Sequence, residues 1–396
     1  MSEKASKEKK EQTEKQKEQS SLRQALLVPV LAVLSGLILG GVVMALSGSN
    51  PFQAYAALFA GSFGSPSVII AGMQTYFATG DNNALVRSLY PFTESLVTAT
   101  PYIFTGLAVA IGFRAGLFNI GAEGQVFIGA LCSAFIGYSI KGLPMIIHLP
   151  LALLAGAAGG AFWGMIPGYL KARFGAHEVV NTIMMNWIAF RLSDWLLKGP
   201  MQASNFRPVT PNVQASAELP RFFEDPLRFN LGFFLALLFA YLVYWFLFKT
   251  TLGFEIRSVG ANPDAAKYAG MSIVKNIVLV MSLAGALAGL GGGAQVLGVD
   301  HWVGQGFSSG YGFDAIAIAL LGKSHPFGVV LAALLFGFLR SGATNMQSMA
   351  GIPVDIISII QGLVIVFVAA PAIIRWLYRI KSIKVEETVL TRGWGK

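Results

Sequence analysis

The sequence is poor in the residues that build most catalytic and metal sites. Among its 396 residues are one cysteine, Cys132, and four histidines. A single cysteine excludes an intrachain disulfide framework and a cysteine-based zinc site, which leaves Cys132 with a packing role. The histidines lie at separate points of the sequence, and none forms a pair at the helical spacing of metal ligands. We therefore predict no metal site, no catalytic constellation and no enzymatic activity.

Charge is also scarce. Only 12% of the residues are charged and 54% are hydrophobic, whereas soluble domains carry about 25% charged residues. This composition, spread over many long apolar runs, predicts an all-α protein that crosses a membrane many times. The formal charge of +9 comes from lysines and arginines in the tails and in loops that we place inside the cell. It therefore indicates orientation in the membrane rather than nucleic-acid binding.

Ten apolar runs are predicted to cross the membrane, since roughly 20 residues suffice for one crossing. They cover residues 22–46, 91–113, 117–139, 149–170, 178–197, 231–248, 277–297, 311–321, 327–343 and 354–377. Residues 47–89 are predicted to form a long outer loop. Residues 1–21 form a charged, disordered tail and residues 379–396 a basic tail, and both are placed in the cytoplasm around a membrane domain of residues 22–378.

Two predicted helices carry glycine at every fourth position, which aligns the glycines on one helix face and allows close helix contact. They are Gly156, Gly160, Gly164 and Gly168 in one helix and Gly285, Gly289 and Gly293 in the other. Plain packing explains this spacing. The alternative is that the two helices are equivalent members of an internal duplication, with two repeats of about five helices each.

One short segment resembles the end of a phosphate-binding loop, namely Gly322, Lys323 and Ser324. That loop requires a glycine five residues before Gly322, where this sequence has Ala317. Pro326 also prevents a helix from starting in the required place. The chain is therefore expected to lack an ATPase of its own and to bind no cofactor.

A polar stretch stands between two uncharged apolar runs. Residues 112–125 read GFRAGLFNIGAEGQ and include Arg114, Asn119, Glu123 and Gln125. Inside a bilayer, irregular backbone and charged groups persist only where they are buried in protein or line a wet cavity. One interpretation is a broken or tightly packed start of a helix, with its polar groups turned inward. The other is a cytoplasmic turn in which Glu123 is solvated and caps the next helix.

Residues 113–125 resemble the signature of a bacterial ABC-transporter permease family that serves ribose-type sugars, branched-chain amino acids and nucleosides. The segment FNIGAEGQ is most similar to the nucleoside branch, whose substrates include purine nucleosides of the guanosine type. The resemblance extends from about residue 91 to the last apolar helix. It implies the type II importer permease architecture, embedded in the lipid of the bacterial plasma membrane.

The resemblance also implies partners. They are a second permease subunit, homologous or identical, a separate cytoplasmic ATPase that binds the ATP, and an extracytoplasmic substrate-binding lipoprotein. ATP hydrolysis on the ATPase would switch the pathway between outward and inward access.

A second motif lies within residues 251–271. Asn262 is a good helix N-cap, Pro263 suits the first helical position and Asp264 favours the positive helix end. Residues 263–269 should therefore form a short surface helix, which Gly270 ends. An ordinary capped loop helix explains this pattern, but the stretch is also similar to the coupling helix with which permeases of this family dock on the ATPase. The residues assigned to coupling are Gly260, Asn262, Pro263, Asp264, Ala265 and Gly270.

Polar side chains inside apolar spans are candidates for the substrate pathway. Amides suit the hydroxyls and base edges of a nucleoside, and aromatic rings can stack on a base, although single buried amides also commonly join helices. The candidates are Asn119, Glu123, Gln125, Asn181, Asn186, Arg191, Gln295, Asn345 and Gln347, with Phe118 and Trp187 as aromatic neighbours. Asn119 and Glu123, four residues apart, would share one helix face. Gln125 would point elsewhere unless the backbone breaks at Gly121 or Gly124.

The rival interpretation is an ion-coupled carrier without an ATPase, which would need ionisable groups at mid-membrane. Glu123 is the main candidate for such a group, since Glu178, Asp194, Asp314 and Asp355 lie near the ends of predicted spans. The short helix predicted after Asn262 favours the importer. A permease of the same family for a simple sugar or a branched-chain amino acid is the other alternative.

Overall fold

The chain folds into a bundle of α-helices. The structure, a computed structural model, describes residues 27–80, 82–203, 207–308, 310–353 and 355–379. The predicted N-terminal tail and all but the first residue of the predicted C-terminal tail lie outside these ranges. Within them the chain contains no strand beyond isolated bridges, so the predicted all-α class is confirmed.

Fifteen α-helices lie in the described residues. They are α1 (Leu27–Leu46), α2 (Pro51–Phe63), α3 (Pro66–Thr79), α4 (Asn82–Arg114), α5 (Ala122–Ser139), α6 (Met145–Phe174), α7 (Glu178–Lys198), α8 (Gly232–Lys249), α9 (Thr251–Ala261), α10 (Pro263–Tyr268), α11 (Ile273–Gln295), α12 (Tyr311–Leu321), α13 (Pro326–Ala350), α14 (Asp355–Ala369) and α15 (Pro371–Leu377). A π-helical turn, Val296–Asp300, follows α11.

Seven helical stretches of the described chain are long and apolar enough to cross a membrane. They are α1, α2 with α3, α4, α6, α8, α11 with its π turn, and α13, while α12 and α14 are shorter apolar helices. Helices α5 and α7 are 18 and 21 residues long but are not among the seven. The protein is therefore a multi-pass membrane protein.

The prediction that residues 47–89 form an outer loop is wrong. This segment contains α2, α3 and the first turns of α4, and α2 is tied to α13 by a 2.6 Å hydrogen bond from the Ser62 hydroxyl to the Phe338 carbonyl. Gly64, at φ 85, and Pro66 divide the apolar stretch into two helices. Each is shorter than the roughly 20 residues of a full crossing, which is why the sequence pattern did not show a span.

Other predicted boundaries also differ from the structure. Helix α4 begins nine residues before Pro91 and continues through it. The last predicted span consists of α14 and α15, interrupted at Ala370, because the residue before a proline is driven out of the helical conformation. The span predicted from Leu117 begins as a helix only at Ala122.

The two glycine stripes meet each other. Helices α6 and α11 form the most extensive helix pair of the described structure. A Cβ atom added at Gly160 would overlap the carbonyl of Gly285, and one added at Gly289 would overlap the carbonyl of Gly156. The stripes therefore let two backbones approach directly, which confirms the packing interpretation.

We expect Gly289→Val to destabilise the folded permease by roughly 1–3 kcal/mol or more, because the new side chain has no room between the two backbones. Thermal unfolding of the purified protein in detergent measures this. Gly362→Ala is the control, since a Cβ atom at Gly362 meets nothing within 4 Å. Equal melting temperatures for the two variants would contradict the close approach of α6 and α11.

Candidate functional site

The polar motif forms a non-helical segment between α4 and α5, inside the bundle. Helix α4 ends at Arg114, and the chain runs without helix to Ala122, where α5 begins. Gly116 takes a left-handed backbone conformation, with φ 70, which glycine adopts without strain. Glu123 is 2% exposed, so it is not solvated. Of the two interpretations of this stretch, the packed start of a helix with inward polar groups is the one observed.

Asn119 and Gln125 pair with each other at this interruption. The Asn119 Nδ2 donates to Gln125 Oε1 at 3.0 Å, and Gln125 Nε2 donates to Asn119 Oδ1 at 3.3 Å. The same Asn119 oxygen accepts the Gly121 N–H. The backbone does break at Gly121, which brings Gln125 to Asn119. The expectation that Asn119 and Glu123 share a helix face is wrong, because Asn119 precedes the helix.

Helix α7 is hydrogen-bonded to the start of α5 through the side-chain amide of Asn186. The Asn186 Oδ1 accepts the Gly124 N–H at 2.8 Å, and its Nδ2 donates to the Ile120 carbonyl at 3.0 Å. The Gly124 N–H lies in the first turn of α5, where it has no intrahelical partner, and Ile120 lies just before the helix. Asn186 therefore fixes the position at which α5 begins.

Glu123 joins α5 to the start of α12. Its Oε2 accepts the Gly312 N–H at 2.6 Å, and Ser308 and Phe313 lie beside the carboxylate. A carboxylate at a helix N-terminus is stabilised by the unpaired N–H groups and by the helix dipole. Gly312 is required here, since a Cβ atom at that position would overlap the Glu123 backbone. We call this meeting of the α5 and α12 N-termini the helix junction.

The helix junction lies deep in the bundle. Helix α12 has 11 residues and so spans about 16 Å. Beyond its far end, the Ser324 carbonyl accepts a 2.9 Å hydrogen bond from Arg114 at the end of α4. Glu123 is therefore separated from the Arg114 end of the bundle by about the length of α12.

Three further polar side chains lie around α12, where the sequence did not lead us to expect them. The Tyr102 hydroxyl on α4 donates to Asp314 Oδ2 at 2.9 Å, although Asp314 was expected near a span end. It lies deep because α12 starts inside the bundle. Arg340 on α13 interacts electrostatically with Asp314. Arg340 was detectable as the only charged residue of the span predicted at residues 327–343, whereas nothing in the sequence singled out Tyr102.

The other pathway candidates lie apart from one another. Phe118 lies against Phe113, with ring centroids 5.2 Å apart and the ring planes tilted by 34°. The Asn181 Nδ2 is buried and has no hydrogen-bond partner among the described residues. Gln295 donates to Asp300 at 3.1 Å and lines a narrow crevice beside Asn230. The structure therefore brings Asn119, Glu123, Gln125 and Asn186 together, and leaves Gln295 outside the helix junction.

The predicted surface helix is present as α10. The Asn262 Oδ1 accepts the N–H groups of Asp264 and Ala265, both at 3.1 Å, and Gly270 has φ 84. Of the six residues, only Ala266 is buried, which leaves one broad face uncovered. The capping predicted from the sequence is therefore confirmed.

The motif of residues 112–125 and the motif of residues 251–271 are in contact through α9, the helix that precedes α10. A Cβ atom at Gly260 would overlap the carbonyl of Arg114, and one at Gly116 would lie 3.2 Å from the Gly260 carbonyl. The backbone of α9 thus lies directly against the segment that leads from α4 to the helix junction. The backbones of the two motifs are therefore in direct contact.

The turn that resembled a phosphate-binding loop is a connection between α12 and α13. Lys323 and Ser324 have φ 52 and 51, and the Ser324 carbonyl accepts from Arg114. No glycine-rich loop leads into a helix N-terminus there, in agreement with the sequence argument.

Comparison with known proteins places this architecture in a family. The family described as "Branched-chain amino acid transport system / permease component" matches residues 92–369. The guanosine ABC transporter permease protein NupP of Bacillus subtilis is 41% identical over 89% of this chain and 95% of its own length. The nucleoside ABC transporter permease protein NupB of Lactococcus lactis is 35% identical over 93% and 97%.

Two further relatives are relevant to the substrate class and to the second permease subunit. The glucose ABC transporter permease protein TsgB13 of Haloferax volcanii is 35% identical over 86% of both chains. A second guanosine ABC transporter permease protein of B. subtilis, NupQ, is 32% identical over 62% of this chain and 79% of its own. No solved structure matches the chain.

Proposed function

This chain belongs to the branched-chain amino acid transport system permease family, and on that premise we propose that it is the membrane subunit of an ATP-driven importer of nucleosides. The observation that carries the substrate class is the 41% identity to a guanosine permease over nearly the whole of both chains. Purine nucleosides of the guanosine type are the proposed substrates. The deep helix junction and the capped α10 supply the parts that such a subunit needs.

We propose a topology of ten crossings in the bacterial plasma membrane, with both termini in the cytoplasm. The crossings are α1, α4, α5, α6, α7, α8, α11, α12 with the chain before it, α13, and α14 with α15, because α12 alone spans only about half of the hydrocarbon core. Helix α2 packs on α13 and α4, and α3 packs on α4; we propose that this stretch does not complete a crossing, because Gly64 and Pro66 divide it into two short helices. Two five-helix repeats of the type II importer architecture fit this order, with α6 and α11 as the glycine-rich members.

The proposed role of α10 is to dock on the ATPase, a separate cytoplasmic protein that binds and hydrolyses the ATP. Support comes from its uncovered surface, from its caps, and from the contact of Gly260 with Arg114 and Gly116. The coupling residues remain those assigned from the sequence. The other proposed partners are a second permease and an extracytoplasmic substrate-binding lipoprotein.

The substrate pathway is proposed to pass beside the helix junction. The polar atoms of Asn119, Gln125 and Asn186 are bonded within the chain, so these residues shape the wall by positioning α5. Glu123 positions the start of α12 in the same way, through its hydrogen bond from Gly312. Asn181, whose Nδ2 has no partner among the described residues, is the candidate that can donate to a base or a ribose hydroxyl. Phe118 and Gln295 are weaker candidates.

Uptake of labelled compounds by cells that carry the complete complex tests the substrate class. We expect guanosine and other nucleosides to enter, with ribose, glucose and leucine entering at the level of cells without the complex. Glucose is the second candidate because of the 35% identity to a glucose permease. Uptake of glucose, ribose or leucine in preference to every nucleoside would overturn the proposed substrate.

A further inference from the structure

Two arginines share one aromatic ring at the end of α8. The Cζ of Arg114 lies 5.5 Å from the ring centroid of Phe248, and the Cζ of Arg257 lies 5.2 Å from the same centroid. Each guanidinium is attracted to the face of the ring, whereas the two positive charges repel each other. Arg114 ends α4 and Arg257 lies on α9, so two separate elements bring these charges together. We call the three side chains the basic cluster.

No carboxylate of the described residues neutralises the basic cluster. The ion pairs of this part of the chain all involve other side chains. The acid on α9, Glu255, accepts a 3.1 Å hydrogen bond from Asn276 on α11 and is therefore committed elsewhere. Arg114 donates to the carbonyls of Ser324 and Lys323, which carry no charge. The described structure thus holds two adjacent cations and no counter-charge for them.

Two polar atoms at the basic cluster are buried without a hydrogen-bond partner among the described residues. They are the Nε of Arg257 and the hydroxyl oxygen of Ser324. Ser324 is 3% exposed, and its carbonyl is the group that accepts from Arg114. A buried donor without an acceptor is unfavourable, and an anionic oxygen is the acceptor that forms the strongest hydrogen bonds with a guanidinium. The site is therefore incomplete in a way that an anion would complete.

An exposed apolar surface borders the basic cluster. Tyr244 on α8 and Phe327 on α13 lie against each other, with ring centroids 5.1 Å apart. Next to them along the same two helices, Trp245 and Leu331 are 51% and 68% exposed. Both helices are long and apolar enough to cross a membrane. This surface between α8 and α13 therefore faces the acyl chains of the bilayer.

The basic cluster lies at the depth of the lipid phosphates. Phe248 is the last residue but one of α8, which has 18 residues. A helix of that length covers about 27 Å, close to the hydrocarbon core of about 30 Å. The two arginines over Phe248 therefore lie where the hydrocarbon ends and the headgroup layer begins.

We propose that the basic cluster binds the phosphate of an anionic phospholipid, whose acyl chains lie along the surface between α8 and α13. Guanidinium groups suit phosphate because they present several donors in one plane, and basic pockets between spans bind anionic headgroups. A free anion would leave the apolar surface unused. A soluble ATPase would not reach Trp245 and Leu331, which lie within spans. The proposal goes beyond the proposed function and does not depend on it.

The bound lipid would also stabilise the contact between α9 and the end of α4. Without an anion, the repulsion between Arg114 and Arg257 opposes that contact. With a phosphate between them, each arginine interacts with the same negative group. We therefore expect anionic lipid to raise the melting temperature of the purified protein, and neutral lipid to raise it less.

Titration of the full-length permease in detergent with dioleoyl phosphatidylglycerol, read by native mass spectrometry, tests the proposal. We expect this lipid to bind more tightly than dioleoyl phosphatidylcholine, which has the same chains and no net charge. Arg257→Gln should weaken phosphatidylglycerol binding about fivefold, the contribution of one cation near a membrane surface, and leave phosphatidylcholine binding unchanged. Arg257→Lys keeps the charge and should bind nearly as the original does. Arg173→Gln, at the exposed end of α6, is the control for the loss of one charge and should have no effect.

Photo-crosslinking locates the acyl chains. Phe327 and Phe162, 46% and 59% exposed, are each replaced by p-benzoylphenylalanine in vesicles of equal parts phosphatidylglycerol and phosphatidylcholine. Adducts at position 327 should contain phosphatidylglycerol in excess of its share of the vesicle. Adducts at position 162, on α6 and away from the basic cluster, should follow the composition of the vesicle. The same composition at both positions would contradict the proposed path of the chains.

Three results of the titration would overturn the proposal. One is equal affinity for the two lipids, or unchanged phosphatidylglycerol binding by Arg257→Gln. Another is displacement of phosphatidylglycerol by an equal concentration of inorganic phosphate, which would identify a site for free anions. The third is loss of the co-purifying ATPase in Arg257→Gln with phosphatidylglycerol binding intact, which would assign the arginines to that protein. None of these readouts uses a transport substrate, so a wrong nucleoside assignment would leave them unchanged.

Discussion

Replacing residues 263–266 with a Gly-Ser segment is expected to abolish ATP-driven uptake while leaving the permease in the membrane at its normal level. The replacement removes the side chains and the helix propensity of the first turn of α10, the turn whose N–H groups Asn262 caps. Apart from Ala266, the residues of α10 are not buried, so the bundle loses little packing. The ATPase loses the rigid element through which it would move α9 and the segment after Arg114.

The measurements are membrane abundance, co-purification of the ATPase, and uptake in the same cells. A Gly-Ser replacement of residues 141–143, in the exposed turn between α5 and α6, is the matched control and should transport normally. Asn262→Ala is the milder variant, since the loss of an N-cap costs typically about 1 kcal/mol, and it should reduce uptake without abolishing it. Normal uptake after replacement of residues 263–266 would remove α10 from the coupling mechanism.

Glu123→Ala is expected to reduce uptake per assembled complex at least tenfold. The substitution leaves the Gly312 N–H buried without its acceptor, which costs about 1–3 kcal/mol, and frees the start of α12 from α5. Glu123→Gln keeps an oxygen that can accept this N–H and loses mainly the interaction of charge with the helix dipole, about 0.3–1 kcal/mol. It should therefore retain a substantial part of the activity.

The comparison of these two variants separates a structural carboxylate from an ion-coupling one. Uptake is normalised to the amount of complex, and thermal unfolding of the purified protein reports the stability loss. Glu224→Ala, at an exposed carboxylate of the loop before α8, is the control. If Glu123→Gln were as inactive as Glu123→Ala yet fully stable, the charge itself would be needed, as in the rival carrier mechanism.

The capped surface helix was predictable because its determinants are local. Asn262, Pro263 and Asp264 each act on the first turn of α10, and Gly270 provides the left-handed residue after its end. The glycine stripes were predictable for a similar reason, since a spacing of four aligns residues on one face whatever the partner helix is.

The helix junction was predictable only in part. Its polarity was evident from Asn119, Glu123 and Gln125, and the glycines allowed the helical backbone to break. Which polar side chains pair with each other, however, depends on the residue at which the backbone breaks. Because α5 begins at Ala122, Asn119 meets Gln125 while Glu123 meets Gly312 of α12. The last contact joins residues 189 positions apart, and no periodicity within one helix specifies it.

The prediction of an outer loop at residues 47–89 failed for another reason. Helices α2 and α3 are each shorter than a crossing, and their stability depends on α13 and α4, which the local sequence does not reveal. Tyr102 was likewise invisible, because a tyrosine in an apolar helix becomes informative only once Asp314 is placed beside its hydroxyl.

Accumulation of labelled guanosine in sealed vesicles that contain this permease, its second permease, the ATPase and the binding protein tests the central claim most directly. The account predicts accumulation against a gradient that requires ATP on the ATPase side, persists when ionophores collapse ion gradients, and stops when the ATPase is inactivated. Accumulation that needs an ion gradient and continues without ATP would contradict it.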